Sequence, residues 1–267
     1  MAILAADSGE AMTNGAGFLA GVGASAPVRG AMCRLPGAAA AETIARQGFD
    51  YIVIDCQHGM IGFAEACAMI QSIRAAGVVP LVRVLKNDPA DIGRFLDAGA
   101  GGITVPMVDS ALDAELSWRA CRYAPIGGRS YGPIFASMHS GPATRDALED
   151  VSLMVMIETS GGVKNVNEIA AVDGVAAIYA GPSDLALDLG ESVGAPLARP
   201  VEEAVARILE ACQRNQIVAG IQCGTPGDAR RRFAQGFSLV TVVQDVKLLA
   251  DGSRAALSMS GDSNEAK

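Results

Sequence analysis

Short apolar runs rich in β-branched residues alternate along this chain with longer, Ala-rich stretches in which apolar positions recur every three or four residues. The runs predict strands at residues 32–35, 51–55, 80–84, 102–105, 153–158, 176–179, 218–222 and 239–243. The stretches predict helices at 39–47, 63–76, 89–98, 111–123, 162–172, 201–215, 226–235 and 246–257, several opened by a start signal such as Asn87-Asp88-Pro89 or Thr225-Pro226. A strand reaches a parallel neighbour only through a crossover, so strands regularly followed by helices predict βαβ units and a parallel sheet. Eight such units predict a single-domain α/β fold, the (β/α)8 TIM barrel, and 267 residues suit it.

Residues 30–257 carry this pattern. Residues 1–29 are expected to be an N-terminal extension in which Phe18-Leu19 begins a short segment plugging the barrel, and residues 258–267 a disordered polar tail. Two intervals, 124–151 and 182–200, are longer than a simple unit requires and are expected to be loops at the catalytic rim or at a subunit contact. No repeat of solenoid spacing is visible.

Half of the residues are apolar and the mean hydropathy is +0.29, yet no uninterrupted apolar stretch approaches the roughly 20 residues of a membrane span. The apolar start Met1 to Ala6 is broken at Asp7 and has no basic flank, so a cytoplasmic protein without a membrane partner is expected. The net charge of −8 would repel a phosphate backbone, which argues against nucleic acid. Cys33, Cys56, Cys67, Cys121, Cys212 and Cys223 form no C-x-x-C pair and read as reduced core residues. Cys56 alone lies beside the candidate site, and its plainer meaning is packing.

In a barrel of this kind chemistry belongs at the C-terminal ends of the strands. His58, one of two histidines, stands in Asp55-Cys56-Gln57-His58-Gly59 where the run Tyr51 to Ile54 turns polar. Histidine titrates near neutrality and can move a proton in either direction. The other histidine, His139, lies in the long 124–151 interval and reads as a surface residue. Arg83 is flanked by apolar residues and cannot shed its charge, so it must face an anion: a carboxylate such as Asp55 or Glu158, an anionic substrate, or both. Glu158 ends one buried run, and Ser183 and Asp184 follow the next strand; Gln222 ends the seventh. A carboxylate placed there needs a partner. The residues leave two readings open: each caps a helix or pairs with an Arg, or Glu158 and Asp184 share a hard divalent cation such as Mg2+ or Mn2+. The glycines at 127, 128 and 132 could present backbone amides to a substrate carboxylate, although a turn is their commoner meaning. Schiff-base chemistry needs a desolvated strand lysine, whereas Lys86, Lys164, Lys247 and Lys267 fall in loop, helices and tail.

The motifs Phe49-Asp50-Tyr51-Ile52-Val53-Ile54-Asp55-Cys56-Gln57-His58-Gly59, Pro80-Leu81-Val82-Arg83-Val84, Asn87-Asp88-Pro89, Leu96-Asp97-Ala98-Gly99-Ala100, Val105-Pro106-Met107-Val108, Arg122-Tyr123-Ala124-Pro125, Gly128-Arg129-Ser130-Tyr131-Gly132, Ile157-Glu158-Thr159 and Gly181-Pro182-Ser183-Asp184-Leu185 occur in this order. Together they make the chain resemble the HpcH/HpaI aldolase family over about residues 30–257. The resemblance implies a metal-dependent class II pyruvate aldolase on a (β/α)8 barrel, assembled as a homohexamer, a trimer of dimers that exchange their last helix. It implies Glu158 and Asp184 as ligands of a divalent cation, Mg2+ or Mn2+ with Co2+ and Zn2+ as further candidates. It places Arg83 on the pyruvyl oxygen, His58 in proton transfer, Asp97 as the residue orienting His58, and Asp55 in support of the metal's water shell or of Arg83. Gly181, Pro182 and Ser183 are expected to contact the small-molecule substrate. Gln57 where many members have Glu, Met156 in place of a Gln and Met32 in place of a Trp alter the expected pocket wall. The alternatives are a CoA-thioester lyase of the citrate-lyase β type, which would want a basic surface that this acidic chain shows little of, and a catalytically silent 2-oxo acid-binding protein.

Overall fold

A computed structural model of the chain describes residues 16–23, 25–139 and 144–260. Its strands are β1 (Val28–Cys33), β2 (Tyr51–Asp55), β3 (Val79–Arg83), β4 (Gly102–Val105), β5 (Ser152–Ile157), β6 (Ala177–Ala180), β7 (Val218–Gln222) and β8 (Leu239–Gln244). Its helices are α1 (Ala16–Ala20), α2 (Ala38–Ala45), α3 (Phe63–Ala75), α4 (Pro89–Asp97), α5 (Ala111–Ala120), α6 (Ala136–His139), α7 (Arg145–Glu149), α8 (Ser160–Lys164), α9 (Val166–Ala170), α10 (Pro182–Asp188), α11 (Arg199–Asn215), α12 (Pro226–Gln235) and α13 (Asp245–Ser260). Every strand pairs in parallel with its sequence neighbours, and β1 closes on β8 to complete the barrel. Among the described residues no helix is long and apolar enough to cross a membrane.

Local chemistry sets the helix starts. Asp88 caps α4 by accepting from the Ala90 and Asp91 amides at 2.9 and 3.3 Å, and Thr225 caps α12 by accepting from Asp228 N–H at 3.1 Å. Pro89 and Pro226 follow these caps, where a missing N–H costs nothing.

Four expectations need adjustment. β1 starts at Val28, within the expected extension, because Val28 and Arg29 pair with Leu239 and Val240; residues 1–15 lie outside the described residues. The helix expected at 162–172 is two helices interrupted at Asn165, whose side chain donates to the Asp109 carbonyl at 2.7 Å. α13 continues through Ser260 into the expected tail, of which residues 261–267 lie outside the described residues. The 124–151 interval follows a helix, not a strand, so its described residues, with α6 and α7, lie at the N-terminal face of the barrel and not at the rim; the 182–200 interval, with α10, lies at the C-terminal rim.

Alternation within each strand divides the core in two. Ile52, Ile54, Val82, Ile103, Val155, Ile178 and Ile221 face the helices, whereas Met32, Tyr51, Val53, Leu81, Met154, Met156, Tyr179 and Leu239 fill the barrel. Leu19 of α1 joins this inner cluster from the N-terminal mouth, and the Phe18 ring meets Tyr51 edge-on at 5.9 Å. The two inner tyrosines satisfy their hydroxyls on Thr241 Oγ1, Tyr51 at 3.1 Å and Tyr179 at 2.7 Å.

Space for those rings comes from glycine. A Cβ at Gly30 would fall 2.1 Å from the Tyr51 ring, and one at Gly220 would fall 2.7 Å from Tyr179. Because Tyr51 is fully buried, its ring has nowhere to retreat. Gly30→Ala is therefore expected to lower stability by about 1–3 kcal/mol, the usual cost of overpacking, whereas Gly128→Ala, with nothing within 4 Å of the added methyl, should change little. Urea denaturation of the two variants measures this; equal midpoints would show that the ring moves aside freely.

Candidate active site

The barrel ends in polar residues at its C-terminal rim, beginning with Asp55. This carboxylate is fully buried and accepts from Arg83 Nε at 2.8 Å, Arg83 Nη2 at 2.6 Å and Arg34 Nε at 2.9 Å. The backbone amides of Gln57 and His58 add bonds of 3.1 and 3.2 Å. Burial pushes the Asp55 carboxyl up, but the hydrogen bonds and charge of Arg83, the His58 amide and the charge of Arg34 together hold it below the ordinary carboxylate value. Asp55 thus holds Arg83 by two of its three nitrogens and Arg34 by one.

Glu158 follows β5 and is 1% exposed. Its Oε1 accepts from the Met107 backbone N–H at 2.8 Å, and Met107 holds a left-handed φ of 55° to deliver it. Burial pushes the Glu158 carboxyl up, the Met107 amide opposes this, and the nearby charge of Asp184 adds to the rise. Gly181 permits the approach of the two acids, since a Cβ there would lie 2.6 Å from Glu158 Oε2. Asp184 is half-buried in the first turn of α10. Neither carboxylate has an ion-pair partner among the described residues: the arginine pairing left open for Glu158 goes to Asp55 instead.

A cavity of about 280 Å³ brings together Arg34, His58, Arg83, Met156, Glu158, Gly181, Pro182, Ser183 and Asp184. Val193, Ala195 and Leu197 from the rim interval close one side, and Gln222 and Gln244 lie on another. His58 is exposed at this mouth. No lysine lines the cavity, and burial pushes the Cys56 thiol up to about 12, too high for a nucleophile at neutral pH. Among the described residues no group of three or more His, Cys, Asp or Glu comes together, so Glu158 and Asp184 form a pair of oxygen donors without a third protein carboxylate, thiol or imidazole beside them.

Residues 31–252 match the family model of the HpcH/HpaI aldolase/citrate lyase family. The chain belongs to that family. It is 39% identical over 236 residues to the hydroxypyruvate/pyruvate aldolase of Rhizorhabdus wittichii, covering 86% of this chain and 93% of the relative. It is 31% identical to the 2-dehydro-3,6-dideoxy-6-sulfogluconate aldolase of Pseudomonas putida, covering 79% of this chain and 84% of that one. A solved HpcH/HpaI aldolase/citrate lyase family protein from Burkholderia cenocepacia J2315 superposes with a TM-score of 0.81 at 31% identity, covering 88% of this chain and 94% of that one.

Within a single chain of this HpcH/HpaI family member, Asp97 does not meet His58. α4 starts at the rim and runs antiparallel to β3 for nine residues, about 13 Å at the helical rise. Asp97 therefore lies at the opposite face, where it pairs with Arg129 Nη2 at 2.8 Å. Sequence reasoning singled out neither Arg34, Met107 and Asp245 nor the cavity walls Val193, Ala195, Leu197 and Gln244. Asp245 is 8% exposed and accepts from the backbone amides of Arg34 and Leu35 at 2.9–3.0 Å, fixing the end of β1 against β8.

Removing the charge of Asp55 would leave two guanidinium groups facing each other, one of them buried. Asp55→Asn is expected to cost about 3 kcal/mol or more at pH 7, within the range for breaking a buried ion pair. A carboxyl held below its unfolded value of 3.8 contributes fully above that pH and loses its contribution as the pH falls through the folded value. Urea unfolding of both proteins should accordingly show a large gap at pH 7 that narrows below pH 4; a gap independent of pH would show that packing, not charge, holds this cluster.

Proposed function

We propose that the protein is a class II pyruvate aldolase that reversibly cleaves 4-hydroxy-2-oxo acids to pyruvate and an aldehyde with a divalent cation. One observation carries the reading: the cavity places guanidinium groups on its β1–β3 side and two unneutralised carboxylates on its β5–β6 side. An anion that also chelates a cation fits between them, and a 2-oxo acid is such an anion. The aldolases among the relatives support the same chemistry.

The donor set suits a hard cation. Glu158 and Asp184 offer oxygen only, one of them buried against the other's charge, which matches Mg2+ or Mn2+ better than Zn2+. Held there, such a cation supplies Lewis acidity toward the oxygen on which enolate charge develops. Arg83 presents fixed positive potential to the same oxygens, because Asp55 holds two of its three nitrogens and so fixes the plane of the fork. Gly181, Pro182 and Ser183 border the substrate carboxylate. His58 takes the proton of the C4 hydroxyl when the C3–C4 bond breaks and returns it to the aldehyde oxygen in synthesis.

Pyruvate release from a 4-hydroxy-2-oxo acid, coupled to lactate dehydrogenase with and without chelator, tests this reading. His58→Ala is expected to lower turnover by about two to four orders of magnitude, the range for a lost general base, while Mn2+ titrated by its free-ion electron paramagnetic resonance signal binds as before. Asp184→Asn should lose Mn2+ affinity and turnover together. Cation-dependent pyruvate binding without turnover on any such acid would instead identify a binding protein.

The same reading includes the assembly. α13 spans 16 residues, of which Asp245 alone is buried; Val246, Leu248, Leu249, Leu257 and Met259 are exposed. A helix of this length with a bare apolar face needs a partner surface. We propose that a second copy of the chain supplies it by exchanging this helix, and that such dimers form a hexamer. Sedimentation velocity at micromolar protein is expected to show a multiple of the dimer mass, and loss of residues 246–260 should release smaller species; a monomer that retains α13 would sink this assembly.

A further inference from the structure

We propose that Arg34 recognises an anionic group on the aldehyde half of the substrate, which would make it a specificity-determining residue of the site. The inference rests on the aldolase reading above. It starts from a difference between the two guanidinium groups that share Asp55. Arg83 is 4% exposed in its side chain, with Nε and Nη2 on Asp55 and Nη1 3.9 Å from Met156 Sδ. Arg34 is 30% exposed and commits only Nε, at 2.9 Å, to Asp55 Oδ2. Its two terminal nitrogens make no hydrogen bond among the described residues, and Arg34 lines the cavity.

The residue is also held in place. Its N–H donates to both oxygens of Asp245, and its carbonyl accepts from Met60 N–H at 2.8 Å. Main chain and Nε are thus fixed, so little further ordering is needed for the free end to bind an anion. A guanidinium stays charged in any such setting and matches planar or tetrahedral oxyanions with two parallel donors. Arg34 follows directly on β1 and shares its side of the cavity with His58 and Gln244, whereas the carboxylates that would hold the 2-oxo acid come from the β5 and β6 ends. With His58 acting at C4, the atoms beyond C4 extend toward Arg34. The ligand chemistry is therefore a carboxylate or phosphate carried by the aldehyde.

Matched pairs of aldehydes test this: succinic semialdehyde against butanal for a carboxylate, and D-glyceraldehyde 3-phosphate against D-glyceraldehyde for a phosphate, each added to pyruvate. The unsubstituted protein is expected to prefer the charged member of at least one pair by kcat/KM, and Arg34→Gln should lower that charged-to-neutral ratio by about tenfold to a hundredfold, the scale of one charge-assisted contact. The ratio cancels any general loss transmitted through Asp55. Arg34→Lys, which keeps the charge without the fork, should retain an intermediate preference. Preference for the neutral member of both pairs in the unsubstituted protein overturns the proposal without recourse to a variant, and so does an unchanged ratio in Arg34→Gln. Exchange of the pyruvate methyl protons with deuterated solvent reports on the underlying reading separately: its absence from the unsubstituted protein would overturn the aldolase assignment and this inference with it, whereas exchange with an unchanged ratio overturns the inference alone.

Discussion

The β1–β3 side of the rim is organised around one fully buried carboxylate, that of Asp55. Asp55 takes five donors, three from Arg83 and Arg34 and two from the backbone of its own loop. An ion with no exposure is expensive to desolvate, and only such complete saturation keeps it charged. The consequence is mechanical as well as electrostatic. Asp55 joins the ends of β1, β2 and β3, and it orients Arg83 from the paired position of the neighbouring strand without itself lining the cavity.

Across the cavity the opposite condition holds. Glu158 has one backbone donor, a raised proton affinity and a second carboxylate facing it. Two features of the main chain keep it that way. Met107 occupies a left-handed conformation that costs a non-glycine residue of order 1 kcal/mol or more, and Gly181 omits the side chain that would block Glu158. Both hold two acids close enough for their charges to oppose each other, the setting that the proposed cation would relieve.

Most of the architecture was legible because period-two burial inside a parallel barrel leaves a plain mark. β2, β4 and β7 fall at the residues read from their apolar runs, and polar residues at strand ends led directly to Asp55, Arg83 and Glu158. Applied to β1 and β8, the same reasoning points to Arg34 and Asp245. The apolar run 32–35 encloses Arg34 within a strand, and Gly30, which admits the Tyr51 ring, interrupts the pattern that would mark the true start; Asp245 is hidden because β8 continues one residue beyond its apolar run. Met107 had no signal at all, since nothing about methionine announces a positive φ. Asp97 was visible as part of a motif, but its position required the direction of α4, which carries it away from the rim.

The inner core limits what the site can discriminate. Met32, Leu81, Met154, Met156 and Tyr179 pack up to Arg83 and leave only about 10 Å³ free beneath it, so no substrate group can descend into the barrel. Selection among substrates must then come from the walls. These are unlike: Val193, Ala195 and Leu197 form an apolar flank, while Arg34, Gln222 and Gln244 form a polar one. On the proposed reading, a bound chain that reaches from the carboxylate pair to the β1 end would lie along a gradient of potential rather than in a uniform slot, and its two ends would be distinguished before any bond is broken.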